Sequence, residues 1–248
     1  MTDHSKIMGI PVPKLTMAET VARVQAVIQA KKQKLYHIVT LNPEIAMSCQ
    51  QDQELRGIID EADLLTADGI GIVMVSRMRR NPLPERVTGC DLLFELLEAG
   101  NRRQWSFYLL GGSEETNKRA AEVMQAQYPR AVVAGRQHGF FDPSEDERIA
   151  ADITAKRPDV LVVALGAPKA ERWIHAYKDR LDASIAVGVG GSLDIVAGTV
   201  KRAPRIWQRL HAEWLFRLIN QPSRWRRQLI LPRFALKALF YKERGELS

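Results

Sequence analysis

Residues 160–171 read Val-Leu-Val-Val-Ala-Leu-Gly-Ala-Pro-Lys-Ala-Glu. Six apolar residues in a row predict a strand covered on both faces, because a half-exposed strand would alternate apolar with polar. Gly166 ends the run, and Pro168 suits the first turn of a following helix. The same order recurs along the chain. Tyr36–Thr40, Leu64–Ala67, Ser106–Leu110, Ala131–Ala134 and Ser184–Val189 are further strand candidates. Between the strands lie helix-length stretches, Ala18–Lys31, Glu44–Glu61, Cys90–Ala99, Glu114–Tyr128, Ser144–Lys156 and Lys169–Arg180. Such alternation means right-handed crossovers and a mostly parallel sheet. The expected fold is α/β and Rossmann-like, with helices on both faces of the sheet. In folds of this kind, loops at the carboxyl ends of the strands build the ligand site.

The pattern changes near residue 195. Beyond it come Pro204, Trp207, Trp214, Phe216, Pro222, Trp225, Pro232 and Phe234, interleaved with arginines and without a clear strand. We expect a Rossmann-like body over 1–195 and a basic, aromatic, helical appendage over 196–248. Charge divides at the same place. From Lys201 to Ser248 there are 12 Lys/Arg against 3 Asp/Glu, whereas the first 200 residues hold 24 against 26. The whole net charge of +7 therefore resides in the tail, which points to an anionic partner, either nucleic acid or an acidic membrane surface. Tryptophans settle at water–lipid boundaries and arginines pair with phosphates, so the tail reads either as an interfacial element or as a basic helix packing its aromatics on the body. No nucleic-acid-binding module is visible in it. No apolar run reaches the length of a membrane span, and no signal peptide is read at the N-terminus. Two cysteines, Cys49 and Cys90, suggest a reducing compartment. The expected location is cytoplasmic, on the inner face of the membrane. A homo-oligomer is possible.

Several strand ends could carry chemistry. Thr40-Leu41-Asn42-Pro43-Glu44 reads either as a turn with a helix cap or as a polar cluster facing a ligand. Asp68, in Thr66-Ala67-Asp68-Gly69-Ile70-Gly71, is either a general base or the cap of a helix over Ile70–Met78. Leu110-Gly111-Gly112-Ser113 and Gly188-Val189-Gly190-Gly191-Ser192 can offer backbone N–H groups to a phosphate, and a tight turn alone explains either loop equally well. Lys169 is a phosphate contact or a solvated surface charge. The five histidines are scattered, and there is no Cys-x-x-Cys or Asp-x-Asp, so no metal site is expected. A Gly-x-Ser-x-Gly elbow is missing, which removes the simplest hydrolase. A nucleotide-sugar epimerase or dehydrogenase would need the dinucleotide fingerprint, which is absent. A non-enzymatic membrane adaptor would not need organised strand ends.

Taken together, VTLNPE, TADGIG, LPERVTGCDL, YLLGG, HGFF, ALGAPKAE, GVGGSLDIVAG, VKRAPRIWQ, EWLFRL and QPSRWRRQ resemble the bacterial N-acetylmannosaminyl and N-acetylmannosaminuronyl transferases of glycosyltransferase family 26, the WecG/TagA/CpsF family. The stretches stand in family order from about residue 8 to about residue 240. The resemblance implies inverting transfer of an N-acetylmannosamine-type sugar from a UDP donor to N-acetylglucosaminyl-diphospho-undecaprenol, in teichoic acid-type or other surface-polymer synthesis. It implies no required metal or other cofactor. A different donor, such as the N-acetylmannosaminuronic acid sugar, is the alternative within the family. On these motifs Asp68 is expected to be the catalytic base. Thr40, Asn42, Arg86, Gly111, Lys169, Glu171, Gly190, Gly191, Ser192 and Asp194 are expected to bind substrate. Arg217, Arg224 and Arg227 are expected to receive the acceptor diphosphate at the membrane. One position departs from the pattern: the family reads Gly-x-Pro-Lys-Gln-Glu, and this chain has Ala170 in place of Gln. A Gln can hydrogen-bond a substrate hydroxyl and Ala cannot.

Overall fold

A computed structural model describes residues 3–30, 34–204, 206–207, 213–220 and 230–241, with the side chains at 214, 217, 218 and 220 left out of the description. The chain opens on a hairpin of β1 (His4–Ile7) and β2 (Ile10–Pro13), joined through Met8 and Gly9 at φ 50° and 78°. Two residues at positive φ give the turn a twist that matches its flanking strands. Helix α1 (Met17–Gln29) then starts on a capping box, in which Thr16 and Glu19 satisfy each other's backbone N–H.

The expected strands all form. They are β3 (Tyr36–Leu41), β4 (Leu64–Ala67), β5 (Ser106–Gly111), β6 (Val132–Gln137), β7 (Val160–Ala164) and β8 (Ile185–Gly188). All pair in parallel, in the order β4-β3-β8-β7-β5-β6. Every residue of β3, β4 and β8 is buried, as continuous apolar runs require of a sheet covered on both sides.

Successive side chains of the strands feed two cores. On one face Ile38, Phe107, Val162 and Val187 pack with α1, α5 (Gly89–Arg103), α6 (Glu114–Gln127) and α9 (Ser192–Val196). On the other face Val39, Leu41 and Leu65 pack with the hairpin, α2 (Pro43–Ser48), α3 (Gln53–Asp60) and α4 (Ile70–Met78). Leu161 and Val163 continue that face against α7 (Asp146–Lys156) and α8 (Lys169–Tyr177). Beyond α9 the described residues include the helices Glu213–Asn220 and Ile230–Leu239. The second inserts Phe234 and Ala238 into the core that holds Ile45 and Ile72. Full burial of the Phe234 ring stabilises that docking by roughly 2–3 kcal/mol.

Candidate active site

The carboxyl ends of four neighbouring strands, β4, β3, β8 and β7, open into one cleft of about 330 Å³. Thr40 and Asn42 enter it from the end of β3, Asp68 from β4, Gly190, Gly191 and Ser192 from β8, and Glu171 from α8. Arg86 joins them from the segment before α5. Stretches up to about 150 positions apart in sequence thus converge, because parallel strands all present the same end.

Each residue is held by its local structure. Asn42 is the cap of α2, its Oδ1 accepting from the Ile45 N–H at 2.9 Å, and it also lines the cleft. Cap and cleft residue are the same residue here. Thr40 donates from its hydroxyl to the Gly188 carbonyl at 3.1 Å, tying β3 to β8 at the cleft floor. Asp68 does not cap α4, whose first cap position is Gly69 at φ 94°. Its Oδ2 instead accepts from the backbone N–H of Gly89 at 3.1 Å, at the amino end of α5. Gly190 takes φ 54° and would leave a side chain in open space, so backbone conformation accounts for its glycine. The Ser192 hydroxyl donates to the Val189 carbonyl at 2.5 Å.

Glu171 is the outlier of the set. It is 3% exposed, lines the cleft, and its Oε2 has no hydrogen-bond partner among the protein atoms. Its Oε1 stands 2.9 Å from where a Gly188 Cβ would be, so glycine at 188 makes room for the carboxyl. Burial pushes this carboxyl up to about 7, and the Glu44 carboxylate adds to the rise. A buried, unpartnered carboxyl costs stability, and such groups concentrate at sites that handle ligands.

One rim of the cleft is ionic. Arg86 pairs with Glu213 at 2.6 Å and with Asp91 at 3.6 Å, and Asp91 in turn pairs with Arg202. Arg86 and Arg202 are the two cationic side chains that line the cleft among the described residues. Asp91 is held in place because its backbone N–H bonds the Thr88 hydroxyl, the cap of α5. Glu44, from the polar cluster after β3, also lines the cleft, as do Cys90, Asp91, Arg202 and Glu213, to which the sequence alone assigns no place in the site. The Thr88-x-x-Asp91 spacing is a helix-start signal open to reading; the pairing of Asp91 with Arg202, 111 positions away, is not.

Three expected residues are not brought into the cleft. Lys169 lies over the Phe141 ring, 5.2 Å from its centroid. Gly111 is placed by close packing, since a Cβ there would overlap the Ala164 carbonyl, and the neighbouring Gly112 N–H donates to that same carbonyl at 3.2 Å. Asp194 accepts from the Thr116 hydroxyl at 3.4 Å. Arg217 falls on the Glu213–Asn220 helix with its side chain outside the described residues, and Arg224 and Arg227 lie outside them altogether. Ala170 is buried on the cleft wall beside Glu171.

Comparison with known proteins bears on this site. The profile of the Glycosyl transferase WecG/TagA/CpsF family matches residues 5–247. A protein of Bacillus spizizenii named N-acetylglucosaminyldiphosphoundecaprenol N-acetyl-beta-D-mannosaminyltransferase is 37% identical over 203 residues, 82% of this chain and 78% of the relative. A Bacillus subtilis protein of the same name is 36% identical over 202 residues, with the same coverage. A Staphylococcus aureus protein, again of that name, is 32% identical over 231 residues, 93% of this chain and 90% of its own.

Proposed function

The chain belongs to the WecG/TagA/CpsF family of glycosyltransferases, and from that premise we propose that it transfers an N-acetylmannosamine-type sugar from a UDP donor to N-acetylglucosaminyl-diphospho-undecaprenol. The observation that carries the reading is the convergence of Thr40, Asn42, Asp68, Arg86, Glu171 and the Gly190–Ser192 loop in one cleft. Relatives bearing that activity cover most of this chain at 32–37% identity.

In the proposed reaction the acceptor hydroxyl attacks the anomeric carbon in a single displacement. The new carbon–oxygen bond forms as the bond from that carbon to the diphosphate breaks, and UDP leaves with the electron pair. Asp68 takes the proton of the attacking hydroxyl, its carboxylate oriented by the Gly89 N–H. Arg86 and Arg202 are the charges at hand to meet the departing diphosphate, together with backbone N–H groups of the Gly190–Ser192 loop. Thr40 and Asn42 shape the floor next to the base, and the free oxygen of Glu171 accepts from, or its proton is donated to, a polar group of the sugar. Arg217, Arg224 and Arg227 receive the acceptor diphosphate from the appendage. The reaction takes place at the cytoplasmic membrane surface, where the lipid-linked acceptor resides.

The test is transfer from UDP-N-acetylmannosamine to a short-chain lipid-diphosphate N-acetylglucosamine, by the wild type and by a correctly folded Asp68→Asn variant. Loss of the base should lower turnover at least about 100-fold. Unchanged turnover would sink the role of Asp68. The buried Ala170 supplies the reason to run the uronic acid donor in parallel, because the family's Gln is replaced there on the cleft wall.

A further inference from the structure

Helix α4 and the C-terminal helix Ile230–Leu239 lie side by side. A Cβ on Gly71 would meet the Phe234 ring at 3.6 Å, and at the other end Arg79 donates to the carbonyls of Ala238 and Tyr241 at 3.1 and 2.7 Å. The first tie joins the start of α4 to the middle of the C-terminal helix and the second joins their ends, which sets the pair parallel. Phe234 and Ala238 face inward, with Ile72 and Val75 of α4.

The outward faces are unusual in composition. Met74 and Met78, one helical turn apart on α4, are 52% and 56% exposed. Leu236 and Leu239 on the C-terminal helix, and Phe240 just beyond its end, are exposed too, at 62%, 37% and 75%. The charged residues exposed among them are Arg77, Arg80, Arg233 and Lys237, and neither 70–84 nor 230–241 contains an Asp or Glu. Several exposed arginines elsewhere face local acids, as Arg180 faces Glu147 and Arg148 faces Glu145. Here apolar area and positive charge with no ion pair among the described residues occur together, which is the composition that binds an anionic bilayer. Pairing of this face with its own copy would set each cluster of four cations against its twin, a like-charge arrangement that disfavours a dimer. Ile70 and Leu231, at the start of the same two helices, line the cleft.

We propose that α4, a helix of the catalytic body, contacts the membrane directly, with Met74 and Met78 entering the headgroup–acyl boundary of an anionic bilayer beside Leu236, Leu239 and Phe240. The surface that holds the bilayer then also frames the cleft, so an acceptor whose tail stays in lipid reaches the base without leaving the membrane. Only this last step rests on the proposed transferase reading; binding itself does not.

The experiment is co-sedimentation of the full chain with vesicles of phosphatidylglycerol and phosphatidylcholine, comparing wild type with Met74→Ser/Met78→Ser, in which the C-terminal helix is untouched. Partitioning should fall at least about tenfold. An Arg77→Gln/Arg80→Gln variant should lose binding to a similar degree at low salt, and the loss should shrink as salt screens the wild type. Turnover on a water-soluble short-chain acceptor should stay at the wild-type level for the methionine variant, which separates membrane contact from catalysis. Vesicle binding equal to wild type would overturn the proposal. So would a methionine variant that binds vesicles normally but shifts from dimer to monomer, since the face would then be an interface between copies.

Discussion

Replacing Glu171 by Gln keeps the shape of the side chain and removes its charge, so the effect on stability isolates one ionisation. In the folded protein the carboxyl titrates near 7 against an ordinary value of 4.5, chiefly because burial disfavours the charged form. The folded state thus holds its proton more tightly than the unfolded chain. Below 4.5 both states carry the proton and the site has no pH-dependent cost. As pH rises from there to about 7, the unfolded chain releases its proton first and wild-type stability falls; above that range the loss is constant. The difference in affinity for the proton corresponds to about 3 kcal/mol. Gln does not ionise, so the variant should match wild type at about pH 4 and exceed it by up to about 3 kcal/mol at about pH 8.5. Urea unfolding of both proteins across that range measures the difference, with equal m-values confirming that the same transition is compared. Groups that do not act on Glu171, Glu61 and His37 among them, are common to both and cancel. A difference that does not change with pH, or a Gln variant less stable at the alkaline end, would refute the reasoning. A more stable variant that transfers sugar poorly would show a carboxyl kept for chemistry at the expense of stability.

The two cysteines should separate by reactivity. Burial pushes the Cys49 thiol up to about 11, whereas Cys90 is half-buried and lines the cleft. Iodoacetamide at about pH 8 should therefore label Cys90 in the native protein, UDP should slow that labelling, and Cys49 should react only after denaturation; peptide mapping with equal native labelling of both would contradict this. His37 bears on acid stability. Burial, with the positive charges of His175 and Lys178 nearby, pushes its imidazole down to about 3, so the unfolded chain takes the proton first as pH falls below 6.5. Stability should drain away from about pH 6.5 toward about pH 3, by as much as about 5 kcal/mol at this one group. A His37→Leu variant should hold out to lower pH in acid unfolding followed by circular dichroism, and coincident acid midpoints would count against the buried neutral imidazole.

The parallel sheet was legible because burial on both faces writes itself into the sequence as unbroken apolar runs. Val160–Leu165 and Tyr36–Thr40 differ from the observed β7 and β3 by a single residue at one end. Local side-chain bonding was harder to read. The stretch Glu44–Glu61 was expected as one helix, and the structure divides it, because the Asp52 carboxylate accepts from the Leu55 N–H and starts α3 afresh. The hairpin of β1 and β2 went unread since each strand has four residues and the second contains two prolines. At the site, strand-end polar residues such as Asp68 and Thr40 stood out by position alone. The ionic rim did not. Arg86, Asp91, Arg202 and Glu213 come together through tertiary structure, and charge along a chain carries no record of which pairs will meet.

The change of composition near residue 195 is not a break in the core. Helix α9 runs across it, from Ser192 to Val196, and Phe234 sits fully buried with Ile45 and Ile72 of the body. Cutting the chain at 195 would remove that ring and uncover the apolar residues beneath it, a loss of the order of 3–5 kcal/mol for a buried aromatic. It would also remove Glu213 from Arg86 and Arg202 from Asp91, altering the cleft itself. A truncated protein that failed to bind membrane, or failed to transfer sugar, would thus report three changes at once. Met74 and Met78 lie outside the cleft and half in solvent, so their replacement disturbs neither core nor rim. The same packing that makes the tail part of the body makes point changes on α4 the cleaner probe of the proposed contact with the bilayer.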